Sequence, residues 1–210
     1  MTGFGLFDRD KILTGELGHF HIDEVIFKQI PACLMVQAPV QAADRLVRRH
    51  GIHADEIQKL WIGMAGQAIR HPGCDNSGMI CSPLQAIMSI PFATAAAMIS
   101  GGAERIVWEP PYDPRIFELM KKISLSEEPA HTENFPGLCG AEIRIRKTDG
   151  SEAAERLSDF IPLDDGGVKE HFTKVMAERT GEDRQKAFSK AIGQIETVED
   201  MSTYVRLLQY

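Results

Sequence analysis

Ala141-Glu142-Ile143-Arg144-Ile145-Arg146-Lys147, then Thr148-Asp149-Gly150, then Ser151 to Leu157, reads as two antiparallel strands joined by an Asp-Gly turn. Ile143 and Ile145 alternate with Glu142, Arg144 and Arg146, so one face of this hairpin points to a core and the other to water. The hairpin follows a run of helices and precedes a helical tail. That order, without regular strand-helix alternation, predicts an α+β domain rather than a doubly wound α/β one.

Upstream, Asp113-Pro114 opens a helix expected to run to about Ile123. Before it, Ser82-Pro83 opens a helical region that continues to the Gly101-Gly102 stop through Ala93-Thr94-Ala95-Ala96-Ala97. Pro91 must break or kink that region, because its ring removes an amide donor and collides with the preceding turn. Residues 67–81 carry dense turn chemistry, including Pro72, Gly73, Asp75, Asn76 and Gly78, and read as a connecting loop. Glu56 to Met64 suits a strand with one buried face, and Cys33 to His50 a helix stopped by Gly51.

Downstream, helices are expected from Val168, from Ala187 to Ile192 and from Met201 to Leu208. The expected organisation is an arm at residues 1–18, an α+β domain at 19–166 and a helical tail at 167–210. The tail follows the sheet rather than interleaving with it, which suggests docking on something outside the domain.

Bulk properties exclude several classes. Among 210 residues, 43% are hydrophobic and 25% charged, average values for a folded globular chain and not for a disordered one. A net charge of −7 with scattered Lys and Arg gives no electrostatic footprint for nucleic acid. The weakly polar stretch Met79 to Gly101 is interrupted by Ser, Pro and Gln, so it reads as buried helix and not as a membrane span. Met1-Thr2-Gly3-Phe4-Gly5 has neither the basic nor the apolar region of a signal peptide, and a cytoplasmic location is expected.

Cys33, Cys74, Cys81 and Cys139 form no Cys-x-x-Cys pair and read as free thiols. His19 and His21 alternate as strand ligands would, but no third ligand completes a metal site. No Gly-x-Gly-x-x-Gly, Walker loop or Gly-x-Ser-x-Gly elbow is present, so nucleotide binding and α/β-hydrolase chemistry lack support.

Lys28, within Val25-Ile26-Phe27-Lys28-Gln29-Ile30-Pro31-Ala32-Cys33, is the leading candidate for chemistry. If its apolar neighbours bury it, desolvation disfavours the ammonium and lets the amine trade protons with a substrate. If they do not, it is a lysine whose stem lies over apolar surface with its head in water.

Three ordered stretches resemble the C-terminal part of the MmgE/PrpD family, which contains 2-methylcitrate dehydratase, cis-aconitate decarboxylase and iminodisuccinate epimerase. They are Phe27 to Cys33 with Gln37 and Ala42 beyond it, Ala86-Ile87-Met88-Ser89-Ile90-Pro91-Phe92 running to Gly101-Gly102, and Ile143 to Gly150 followed by Lys169 to Met176. Together they cover about residues 18 to 178. The second stretch, similar to the family's Ala-x-x-Ser-x-Pro-Tyr/Phe run, is the most specific.

The resemblance implies the smaller α+β domain of a dimeric, metal-independent lyase or isomerase without a cofactor. In that family the active site lies in a cleft against a large helical domain. By the same resemblance Lys28 falls on the family's active-site lysine, with Gln37 and Ser89 as substrate-binding candidates. Each of the latter has a structural alternative: a buried amide satisfying backbone groups, and a helix-internal hydroxyl. Pro39 and Gln41 depart from the family's usual residues, an acidic side chain being common near Gln41, so no single substrate carries over. The expected activity is lyase or epimerase chemistry on a small carboxylate with a helical partner chain or in a homo-oligomer. The competing reading is a non-catalytic interaction module of the same fold.

Overall fold

In the computed structural model, residues 22, 25–198, 200–202 and 205–206 are described. The 1–18 arm, His19 and His21 fall outside them, as does part of the expected Met201–Leu208 helix.

Chain order is α1 (Leu34–His50), β1 (Ile57–Met64), α2 (Gly66–Ile69), α3 (Pro83–Met88), α4 (Ile90–Ser100), α5 (Pro114–Met120) and β2 (Ile123–Glu127). Then come α6 (Pro129–Asn134), β3 (Ala141–Lys147), β4 (Glu152–Leu157), α7 (Asp165–Thr180) and α8 (Glu182–Ile192). The strands form one sheet in the order β2-β1-β3-β4. The β3–β4 hairpin is antiparallel, with Ile143 opposite Glu155 and Ile145 opposite Ala153, and β3 runs antiparallel to β1.

The expected helix ending near Ile123 is corrected: α5 stops at Met120, and Ile123-Ser124-Leu125-Ser126-Glu127 forms β2, parallel to β1. Its period-two alternation is short, and Ile116, Leu119, Met120 and Ile123 extend the preceding helical spacing into it. The sheet is therefore mixed. The 67–81 loop likewise begins within a helical turn, α2, and α6 was not expected.

The bulge between Ile57 and Lys59 places two β1 residues against one β3 residue. It explains why Ile57 and Leu60, three residues apart, are both fully buried. Leu60, Ile62, Ile143 and Ile145 face the core, where α1 and α4 pack against each other and α1 also lies on β3 and β4. α4 is buried from Ile90 through Met98, so it is the central helix rather than a surface one. Its Phe92 ring meets Tyr112 edge-on at 4.8 Å. Outside, Trp61 lies under the Lys59 amine at 5.2 Å and the Arg146 guanidinium at 5.6 Å.

Gly140 leads into β3 where a Cβ would come within 2.4 Å of the Ser158 carbonyl oxygen and 2.5 Å of that of Leu157. Backbone atoms cannot rotate away, so Gly140→Ala is expected to lose about 2–3 kcal/mol of stability, read from urea unfolding. An unchanged midpoint would contradict that close approach.

His131 in α6 is 4% exposed, and its Nε2 has no hydrogen-bond partner. Burial holds its imidazole below the ordinary value, with Arg156 adding to the effect and Glu128 and Glu142 opposing it. Above about pH 6.5 the ring is neutral in both folded and unfolded chains. Below it the unfolded chain takes the proton first, so stability falls with pH. The urea midpoint is expected to drop between pH 7.5 and 5.5, and to drop less in His131→Phe; equal drops would remove His131 as the cause.

Candidate active-site face

α1 begins at Leu34, and the segment before it is held in place by that helix's own side chains. Gln37 is fully buried, and its amide faces back to the segment: Nε2 donates to the Ile30 carbonyl at 2.8 Å and the Ala32 carbonyl at 3.3 Å, while Oε1 accepts from the Ile30 N–H at 3.2 Å. One helical turn later, Gln41 makes the same kind of two-way grip on another segment. Its Nε2 donates to the Ile161 carbonyl and its Oε1 accepts from the Ile161 N–H, both at 2.8 Å. The Leu163 N–H then donates to the Phe27 carbonyl at 2.8 Å, closing a bridge between the two held segments.

Lys28 follows directly on that bridge. Its Nζ donates to the Ala32 carbonyl at 2.7 Å, the same carbonyl that Gln37 reaches. Lys28 and Gln37 thus meet at one oxygen, but Lys28 is exposed whereas Gln37 is closed in.

The burial alternative for Lys28 is corrected by its neighbours. Val25, Ile26 and Phe27 are 54, 48 and 55% exposed, so the apolar run does not exclude water from the amine. Instead Lys28 borders an open apolar groove of about 280 Å³, whose other walls include Phe27, Leu163, His171, Phe172 and Met176. The last three lie on α7, so the tail helix forms one side of the lysine's surroundings. α7 has no buried residue and packs mainly on α8.

Ser89 lies at the break between α3 and α4, fully buried. Its Oγ accepts from the Phe92 N–H at 3.0 Å, capping α4, and donates to the Asn76 carbonyl at 2.6 Å. Pro91 falls in the first turn of α4, where its missing N–H costs nothing, so the break occurs at Ser89. Ser89 therefore anchors the 71–82 loop, and the Cys33 N–H donates to the Ile87 carbonyl at 2.9 Å to tie that region to the start of α1. Gln37 and Ser89 both act on backbone that shapes this face, and neither side chain opens onto it.

Sequence reasoning passed over Gln41 as a binding or positioning group, noting it only as a departure from family usage. The signal was its spacing of one turn from Gln37 on the same helix. A second hollow, about 440 Å³, lies on the outer sheet face, but its Arg144 is paired with Glu142 at 2.6 Å and its Arg146 with Glu152 at 2.8 Å. Those arginines are already neutralised, and the Lys28 face is the better candidate. Among the described residues, no group of three metal-ligating side chains comes together, and no helix is long and apolar enough to cross a membrane.

A mixed four-stranded sheet backed by a buried small-residue helix, with a lysine-bearing segment pinned to its first helix, defines a small α+β domain. The chain belongs to the MmgE/PrpD family: the model of the MmgE/PrpD C-terminal domain matches residues 30–197. The match takes in Gln37, Gln41 and Ser89 and begins two residues after Lys28. No curated protein matches the chain.

Proposed function

We propose that this chain supplies the lysine-bearing wall of a lyase or isomerase site acting on a small carboxylate, with Lys28 as the acid/base group. The observation that carries the reading is the pinned amine: Gln37 and the Phe27–Leu163 bridge fix the backbone on both sides of Lys28 while its head stays open. Elimination or epimerisation beside a carboxylate needs a group that takes a proton from carbon or returns one, held at hydrogen-bond range. A lysine amine does this once water is excluded, because desolvation favours its neutral form.

Exclusion of water falls to a helical partner covering Val25, Ile26, Phe27 and Ile161, all more than 40% exposed. The partner also supplies the donor for the leaving group and the cations that clamp the carboxylates. The 167–210 tail, whose α7 lines the lysine's groove, docks on the same partner. Gln37, Gln41 and Ser89 are positioning residues in this scheme.

Co-expression with a helical MmgE/PrpD N-terminal domain, followed by assay of hydroxy- and amino-dicarboxylates for alkene formation or loss of optical rotation, tests the reading. A complex with turnover supports it. A stable complex without turnover on the panel favours the interaction-module reading, and the absence of any complex, with the chain itself monomeric by size-exclusion with light scattering, removes both.

A further inference from the structure

β4 stands at one end of the sheet, and among the described residues no strand pairs with its outer edge. The Lys147 N–H donates to the Ser151 carbonyl and the Thr148 N–H to the Glu56 carbonyl, both at 2.8 Å, which sets the alternation of the ladder. Ser151, Ala153, Glu155 and Leu157 therefore turn their backbone groups to β3, while Glu152, Ala154 and Arg156 turn theirs outward. The same three side chains are exposed, on the face away from α1. β4 is regular, with an unbroken register against β3 and no proline, so its edge is a template for another strand.

We propose that β4 pairs antiparallel with β4 of a second copy of this chain, about a twofold axis at Ala154, joining the two sheets into one. In that register Ala154 meets its own counterpart, and Glu152 meets Arg156 of the second copy on both sides of the axis. Each copy already pairs Arg146 with Glu152 at 2.8 Å and Arg156 with Glu142 at 4.0 Å. The outer-face row thus runs Arg146, Glu152, then Arg156 and Glu142 of the second copy, alternating in sign across the seam. Opposite charges directly across strands stabilise a sheet and like charges destabilise it. Moving the axis to Ala153 or Glu155 sets Glu152 or Arg156 opposite alanine, and moving it to Glu152 or Arg156 sets like charges face to face. One register is selected.

The inner face accommodates the same seam. Glu155 falls opposite Ala153 of the second copy and keeps its Arg45 partner at 3.0 Å. α1 lies over β3 and β4, so the two copies of α1 come two strand spacings apart, about 10 Å, the distance at which helices pack. This assembly is independent of the lyase reading, because it needs neither substrate nor helical partner.

The test is sedimentation equilibrium of the full chain and two charge-reversed variants, with no partner added. The unaltered chain should form a dimer. Glu152→Arg and Arg156→Glu each set like charges opposite one another and should weaken that dimer by about tenfold. Mixing the two variants should restore association, since opposite charges then meet on both sides of the axis. An unaltered chain that stays monomeric at millimolar concentration, a dimer indifferent to the single reversals, or a mixture no tighter than its components would overturn the proposal. Should the variants fail to fold, amide exchange on the unaltered chain decides. The N–H groups of Glu152, Ala154 and Arg156 should exchange about tenfold more slowly in concentrated than in dilute solution, and equal rates would overturn it.

Discussion

Lys28→Ala is expected to lower turnover of the complex with its helical partner by about 10²–10⁴-fold, the range supplied by a positioned acid/base group. The fold should survive, because the Lys28 side chain is exposed and its one hydrogen bond among the described residues goes to the Ala32 carbonyl, which Gln37 also serves. A thermal midpoint within about 2 °C of the parent, corresponding to less than about 1 kcal/mol in a chain of this size, would separate lost chemistry from lost structure. Loss in kcat with little change in KM is the expected pattern, since the amine is assigned to a proton moved in the transition state. A rise in KM alone would instead make Lys28 a carboxylate anchor.

Gln37→Leu should have the opposite signature, a large loss of stability. The variant keeps the volume of the side chain but removes the amide that pairs the Ile30 N–H and the Ile30 and Ala32 carbonyls in a fully buried place. Leaving buried backbone groups unpaired costs about 1–3 kcal/mol each, so a total near 3 kcal/mol and a fall of about 10 °C in Tm are expected. Turnover should fall with it, because the segment carrying Lys28 loses its tether. A Gln37→Leu chain as stable as the parent would show that the segment is held by something else.

The fold was legible wherever periodicity and turn chemistry agreed. The Asp-Gly hairpin with its Ile143 and Ile145 face, the Gly51 stop of α1 and the Ser82-Pro83 start of α3 all follow from local rules. β2 was not legible because five residues carry too little pattern to outweigh a helical spacing that runs into them, and its pairing with β1 is a long-range event. The candidate site was less legible than the fold. A lysine amid apolar residues drew attention to this segment but left its burial open, because Val25, Ile26 and Phe27 look like core residues in sequence and are exposed in the structure. Gln37 and Ser89 were singled out by resemblance, while their work of gripping the Ile30–Cys33 backbone and capping α4 became visible only once the chain was folded.

The family assignment fixes the fold, and the chemistry assigned to Lys28 is the central claim. Its most direct test is turnover by Lys28→Arg in the assembled complex, beside Lys28→Ala. Arginine preserves positive charge and reach but does not give up its proton under working conditions, so it can anchor a carboxylate and cannot act as a base. If Lys28 moves the proton, Lys28→Arg is as inactive as Lys28→Ala; a Lys28→Arg complex turning over at the parent rate would contradict the acid/base role.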